Sequence, residues 1–168
     1  RNPARFASMT HRGSILLVDD EEKILKALGR ALRNAGHAVV ETTSPRNAQR
    51  LLAERTFDVL VVDNMMPELS GLDLIREFVA STPEQERPQI LMMTAHATVE
   101  SAIEAMKLGA LDYLQKPFEI EELLVVVRRA LDLDHGVDDR AAAAGECLLE
   151  LGLVVDVVGR GELDLRRE

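Results

Sequence analysis

Tryptophan is absent, tyrosine occurs once, and aromatics make up 3% of the 168 residues. So thin an aromatic complement excludes the stacking platforms that hold single-stranded nucleic acid. The single cysteine, Cys147, leaves no internal disulfide and no thiolate metal site, and it points to a reducing, cytoplasmic setting. The four histidines, His11, His37, His96 and His135, never fall three or four residues apart, which removes a histidine-built zinc site. No apolar run approaches the roughly 18–20 residues needed to cross a bilayer. The basic start of the chain has no apolar stretch behind it, as a secretory signal requires. Positive charge is also scarce. The formal net charge is −9, made up of +3 over residues 1–13, −7 over 14–132 and −5 over 133–168. That is the reverse of a DNA-binding footprint, so no direct contact with nucleic acid is expected of this chain.

What is present suits one core-bearing domain with some chain to spare: 46% hydrophobic and 29% charged residues. Residues 1–13 lack periodicity and read as a leader or tag. From Ser14 a rhythm starts. Ile15–Val18 is a short continuous apolar run, as expected of a strand buried on both faces. Ile24, Leu25, Leu28, Ala31 and Leu32 then fall at helical spacing, and Gly36 stands where a helix would end. Ala38–Val40 reads as a strand. Ser44-Pro45 reads as a cap followed by proline at the first helical position, with the helix running to about Arg55. Val59–Val62 is the most apolar strand. A helix follows Gly71 with Leu72, Ile75 and Val79 on one face, and Pro83 to Pro88 is a polar loop. Ile90–Met93, a helix over 98–108, Leu111–Leu114 and a helix over 119–132 complete the pattern. Five strand–helix repeats predict an α/β fold, a parallel sheet wound on both faces. Beyond Leu133 the rhythm stops. Residues 133–168 read as a linker or a fragment of an output region, with a short helix over Ala141–Leu151 and a strand over Leu153–Val158.

In such sheets ligands bind at the carboxyl ends of the strands. Asp19, Asp20 and Glu21 follow the first strand, Asp63 the third, Thr94 and Ala95 the fourth, Lys116 and Pro117 the fifth. Each alone has a plain structural use: Asp20 or Thr94 as a cap, Asp63 as a turn residue before Pro67, Lys116 as a solvated charge. Their coincidence on one rim argues for a site. Three carboxylates in one cleft repel one another. A hard divalent cation relieves this, and Mg²⁺ favours one or two carboxylates with water and phosphate oxygens. A carboxylate beside Mg²⁺ can attack phosphorus and form an aspartyl phosphate. The charge on the transferring group would be met by the cation, the Lys116 ammonium, the Thr94 hydroxyl and a backbone N–H.

The runs Leu17-Val18-Asp19-Asp20-Glu21, Val61-Val62-Asp63-Asn64-Met65-Met66-Pro67-Glu68-Leu69-Ser70-Gly71, Met93-Thr94-Ala95 and Tyr113-Leu114-Gln115-Lys116-Pro117-Phe118 resemble the receiver domain of two-component response regulators. The resemblance covers about residues 14–132. The stretch from His96 to Phe118 is most similar to receivers of the nitrogen-regulator, sigma-54 activator class. The ATPase that follows such receivers needs a GxxxxGK[ST] loop, and none occurs here. The resemblance implies a flavodoxin-like sheet of order 2-1-3-4-5. It implies Asp63 as phosphoacceptor, fed by a sensor histidine kinase. Mg²⁺ would be held by Asp19, Asp20, Asp63 and the Met65 carbonyl, and Thr94 and Lys116 would contact the phosphoryl group. Thr94 and Tyr113 would form the switch, and Pro67, Gly71 and Pro117 would shape the loops, the Lys116–Pro117 bond often being cis in this family. Output would be transcription regulation, with no dedicated enzyme activity.

Two other readings compete. An Mg²⁺-dependent aspartyl-nucleophile phosphatase would carry a second acid two residues after the nucleophile, where this chain has Met65 and no cap insertion. A pseudo-receiver would lack one of the acids, the threonine or the lysine, all of which are present. His96 reads as a variable loop residue, and Met92, Met93 and Met106 as packing. Leu123 to Val127 are five consecutive apolar residues on the last helix, of which a core-facing stripe uses about three. The remainder forms an exposed strip that the tail from Ala141 could cover by folding back, and otherwise predicts a homodimer through the fourth helix, fifth strand and fifth helix, weakened by Val126→Glu or Tyr113→Ala.

Overall fold

The computed structural model describes residues 12–133 and the backbone of 154–158 and 162–166. In chain order it contains β1 (Ser14–Val18), α1 (Glu22–Asn34), β2 (Ala38–Thr42), α2 (Pro45–Glu54), β3 (Val59–Asp63), α3 (Gly71–Ser81), β4 (Gln89–Thr94), α4 (Val99–Lys107), β5 (Ala110–Gln115) and α5 (Ile120–Leu133). Strands β1 to β5 form one parallel sheet of order β2-β1-β3-β4-β5. The flavodoxin-like topology implied by the resemblance is therefore the observed one. The polar stretch between Pro83 and Pro88 is not wholly irregular, since Glu84–Glu86 closes a 3-10 turn.

Strand alternation divides each apolar run between two cores. Leu16, Val18, Leu60, Val62 and Met92 pack in one cluster with Leu51, Leu74, Ile75, Ala102 and Met106 from α2, α3 and α4. Ile15, Leu17, Val59, Val61, Leu91 and Met93 pack in the other with Leu25, Leu28, Leu32, Leu123 and Val127 from α1 and α5. Met92, Met93 and Met106 are all buried, as expected of packing residues.

Local chemistry sets the helix ends. Ser44 Oγ accepts from Asn47 N–H at 3.2 Å with Pro45 at the first helical position. Ser70 Oγ accepts from Asp73 N–H at 3.1 Å. Asp20 does not cap α1: Glu21 occupies the cap position without a side-chain bond, and Asp19 Oδ1 accepts from Glu21 N–H at 2.9 Å. Gly36 and Gly109 follow α1 and α4 with φ of +98° and +96°, left-handed backbone that glycine adopts without strain.

The chain after α5 holds an antiparallel pair, β6 (Val154–Val158) and β7 (Glu162–Arg166). The first of these matches the expected strand with its start one residue later. The second was not anticipated: Glu162–Arg166 alternates charge with leucine, and three of its five residues are charged. The expected leader, apart from Arg12 and Gly13, and the expected helix over Ala141–Leu151 lie outside the described residues.

One expectation needs correction. Leu123, Val126 and Val127 are the core-facing part of the α5 run, together with Ala130 and Leu131. Val126 is only 8% exposed, whereas Val125 is 64% exposed. A 100° step per residue turns Val125 outward while its neighbour enters the core, so Val126→Glu damages the fold before it reaches any interface. Val126→Glu is expected to cost upwards of ~3 kcal/mol by burying an unpaired charge. Val125→Glu is expected to cost within about 0.5 kcal/mol, both read from denaturant unfolding curves.

Candidate functional site

Parallel strands bring their carboxyl ends to one rim, and Asp19, Asp63, Thr94 and Lys116 meet there. The Lys116 Nζ lies 2.6 Å from Asp19 Oδ2 and 3.0 Å from Asp63 Oδ1, closing a link across 97 residues of chain. Asp19 and Thr94 are fully buried and Asp63 is 2% exposed, while Asp20 is exposed at the mouth. One carboxylate oxygen from each of Asp19, Asp20 and Asp63 lies within 4.8 Å of the others.

The orientation of each group has a local cause. Asp63 Oδ2 accepts from Met65 N–H at 3.0 Å, which sets the plane of the carboxylate. Its other oxygen, Oδ1, is buried and accepts no hydrogen bond among the described residues. The nearby ammonium pairs with it by charge, without the alignment of a hydrogen bond. Burial pushes the Asp63 carboxyl above its ordinary range. Lys116 pulls it down and the Asp19 charge adds to the rise, leaving the net shift upward. Burial disfavours the Lys116 ammonium, but pairing with Asp19 and then Asp63 outweighs it and raises the pKa, so the lysine stays charged.

Three carboxylates against one ammonium leave an excess of two negative charges. That excess and the unsatisfied Asp63 Oδ1 fit a hard divalent cation with oxygen ligands. The Met65 side chain stands 54% exposed beside the cleft.

The loop after β3 is shaped by close approach. A Cβ at Gly71 would lie 2.4 Å from the Asp63 carbonyl oxygen and 3.0 Å from Asn64 Cα, so only glycine fits. Gly71 N–H donates to the Asn64 carbonyl at 3.1 Å, and Asn64 Oδ1 accepts from Leu72 N–H at 3.1 Å. Asn64 thereby clamps the loop to the start of α3. Sequence reasoning did not single it out, although its place directly after Asp63 is the available signal. Pro67 accepts from Leu69 N–H at 2.9 Å, and the intervening Glu68 takes a φ of +70°. The Lys116–Pro117 peptide is cis, and Lys116 N–H donates to the Thr94 carbonyl at 2.7 Å.

Thr94 Oγ1 accepts from His96 N–H at 3.2 Å. Tyr113 is inward, 7% exposed, with its hydroxyl 2.8 Å from Ser101 Oγ on α4. The structure thus brings Asp19, Asp20, Asp63 and Lys116 into one cleft and sets Thr94 at the adjoining strand end. Tyr113 does not enter the cleft.

Residues 15–128 match the response regulator receiver domain. The chain belongs to this family. It is 38% identical over 125 residues to the regulatory protein AtoC of Escherichia coli K12, covering 74% of this chain and 26% of that protein. It is 36% identical over 141 residues to the DNA-binding transcriptional regulator NtrC of Azospirillum brasilense, covering 84% and 29%. The chain therefore spans under a third of the length of these relatives. Among solved structures it resembles the beryllofluoride-activated NtrC4 receiver domain dimer, with a TM-score of 0.65 and 31% identity over 70% of this chain and 95% of that one. It also resembles the chemotaxis protein CheY4 of Vibrio cholerae, with a TM-score of 0.66 and 29% identity over 71% and 99%. Receivers are the phosphorylation-responsive half of two-component systems, partners of sensor kinases rather than a dedicated enzyme family. As a class they hold Mg²⁺ at an acidic site, and this receiver has the acidic cluster for one. Among the described residues no helix is long and apolar enough to cross a membrane.

The raised Asp63 pKa has a direct consequence. An ionised Asp63 works against the fold, and protonation removes that burden as pH falls through the raised value. Without divalent cations, Asp63→Asn should therefore be more stable than the unsubstituted chain at pH 7. The gap should close on acidification toward ~4, near the unperturbed aspartate value. Melting temperatures across that pH range check it, and no difference at pH 7 would contradict the electrostatic account.

Proposed function

We propose that residues 14–132 act as a phosphoacceptor switch, taking a phosphoryl group onto Asp63 from a phosphohistidine of a sensor histidine kinase. The observation that carries this is the Lys116 ammonium bridging Asp19 and Asp63, whose buried Oδ1 it meets by charge without an aligned hydrogen bond. In the transfer an O–P bond forms at the Asp63 carboxylate as the P–N bond to the donor breaks, and the proton on the departing imidazole comes from solvent. Mg²⁺ held by Asp19, Asp20, Asp63 and the Met65 carbonyl would supply charge neutralisation for the phosphoryl oxygens. The Lys116 ammonium meets a second oxygen. The Thr94 hydroxyl, now accepting from His96 N–H, turns to donate to a third. Pro67, Gly71 and Pro117 hold the loops that present these groups.

Thr94 and Tyr113 then relay the change. As Thr94 is drawn toward the phosphoryl group, the packing around Tyr113 on the neighbouring strand alters, and the face made by α4, β5 and α5 is remodelled. Two exposed apolar side chains on α5, Ile120 and Val125, suit that face to a second copy. The activated dimer among similar structures supports the same reading. We assign the output to transcription regulation, by the names of the relatives, and the setting to the cytoplasm, in keeping with the single cysteine.

Two experiments test these assignments. Acetyl phosphate with Mg²⁺ should add one phosphoryl group by intact mass, and none to Asp63→Asn. A phosphorylated Asp63→Asn chain would sink the assignment. Mg²⁺ alone should raise the melting temperature, with about 1.4 kcal/mol of stabilisation at ten times Kd.

For the dimer, sedimentation across a concentration series should show association strengthened by beryllofluoride and weakened by Val125→Glu; Tyr113→Ala, at a position only 7% exposed, opens a cavity in the core and is no probe of the interface. A monomer throughout would remove dimerisation and leave the phosphoacceptor assignment intact.

A further inference from the structure

A helix leaves its first N–H groups without partners of its own, and in α3 one residue from the preceding strand end takes two of them. Ser70 is the N-cap, and its Oγ accepts from Asp73 N–H at 3.1 Å. Gly71 N–H donates to the Asn64 carbonyl and Leu72 N–H to Asn64 Oδ1, both at 3.1 Å. Leu74 N–H is the first to find a helical partner, the Ser70 carbonyl at 2.9 Å. On its other side Asn64 N–H donates to the Met93 carbonyl at 2.8 Å. Asn64 therefore joins the end of β3 to β4 and to α3 at once, and it closes the loop 64–71 upon itself.

The residues on either side of Asn64 are Asp63 and Met65, two of the groups assigned above to the cation. Further along the loop, Met66 and Leu69 are buried in the core cluster beneath it, so packing fixes them. Met65 has no such hold, since its side chain is 54% exposed. Its peptide groups are fixed instead by the backbone: Met65 N–H donates to Asp63 Oδ2 at 3.0 Å, and the Asn64 ties lie immediately before it. The structure assigns Asn64 as the positioning residue of the cation site, holding the Met65 carbonyl and, through Met65 N–H, the plane of the Asp63 carboxylate. The assignment rests on the proposed function, under which the Met65 carbonyl is a ligand. The residue type suits the task. An acceptor must reach a helix N–H from the position next to the strand end, and it must bring no charge of its own. Aspartate would reach but would set a fourth negative charge beside three carboxylates. Leucine has a similar shape and no acceptor. A loop that leaves the binding geometry part of the time weakens apparent affinity in proportion to the fraction lost, so the Asn64 bonds should be read directly in the Mg²⁺ affinity.

Calorimetric titration of the whole chain with Mg²⁺, beside melting temperatures taken without Mg²⁺, tests the assignment. One hydrogen bond of ordinary strength corresponds to a change of roughly two- to tenfold in the binding-competent fraction, so Asn64→Leu should raise the Mg²⁺ Kd by about that factor. Asn64→Asp restores the acceptor and adds a charge. In 1 M KCl, where exposed charges are screened beyond about 3 Å, it should bind Mg²⁺ no more weakly than the unsubstituted chain in the same salt. Amide exchange at Met65 and Leu72 should accelerate in Asn64→Leu and not in Asn64→Asp. A residue serving the fold alone would lower the melting temperature of Asn64→Leu and leave the Kd where it was, and that result overturns the assignment. So does an Asn64→Asp chain that binds as weakly as Asn64→Leu in 1 M KCl. Should Asn64→Leu fail to fold, Asn64→Ser, whose hydroxyl is too short to reach Leu72 N–H, is judged by the same two criteria. Failure of the proposed function looks different: the unsubstituted chain would show neither heat nor a rise in melting temperature with Mg²⁺, acetyl phosphate would add no mass, and the assignment would fall with it.

Discussion

The Lys116 ammonium is the contact on which the rim depends. It draws together two carboxylates from strands that have a third strand end between them in sequence, and it does so out of water, where like charges repel most. Without it, Asp19 and Asp63 would face each other nearly unscreened. With it, one positive charge still meets three acids, counting Asp20 at the mouth. The site is therefore under-neutralised by construction. A receptor for a dianionic phosphoryl group cannot be a simple anion hole under those conditions. Under the proposed function, acceptance needs a divalent cation to reverse the local sign, so the proposed phosphoryl and cation sites share one place.

That arrangement tolerates charge only because the sheet below it is apolar and rigid. β1, β3 and β4 are buried on both faces, and each distributes its side chains between the α2–α3–α4 core and the α1–α5 core. The polar groups occupy the last position of a strand or the first one beyond it. Asp63 and Thr94 are strand termini, whereas Asp19 and Lys116 stand one residue past theirs. Close approach does the rest. Gly71 lets α3 begin against the Asp63 carbonyl, and Asn64 ties the two together through both its backbone and its side chain.

The same economy links the rim to the surface. Thr94 and Tyr113 lie on neighbouring strands, and four residues separate the end of β4 from the start of α4. Small hydroxyl side chains hold that short connection at both ends, so a change in one hydrogen bond at the rim is not absorbed by slack chain. The α5 helix is the stiffer partner of this face. Its consecutive apolar residues are mostly core, and Val125 is the one that turns fully outward.

Strand–helix alternation, and with it the α/β class, was legible in the sequence because periodicity is a local property of the chain. So were the identities of Asp19, Asp20, Asp63, Thr94 and Lys116, since a residue at the end of an apolar run is at a strand end whatever the topology. The cap at Ser44 follows from residue type and neighbours alone. The α5 run was misjudged in its detail because five adjacent apolar residues carry no phase: only packing against β3, β4 and β5 decides that Val126 is inside and Val125 outside. The Ser101–Tyr113 bond and the partner that Asn64 finds at Leu72 were likewise invisible, because each depends on a group brought close by folding. Residue types and order, then, determined which chemistry the chain possesses. Which carboxylate oxygen is left without a hydrogen bond, and which serine meets the tyrosine, were decided by the tertiary structure, since hydrogen bonds and ion pairs depend on distances of a few tenths of an ångström that no spacing in sequence encodes.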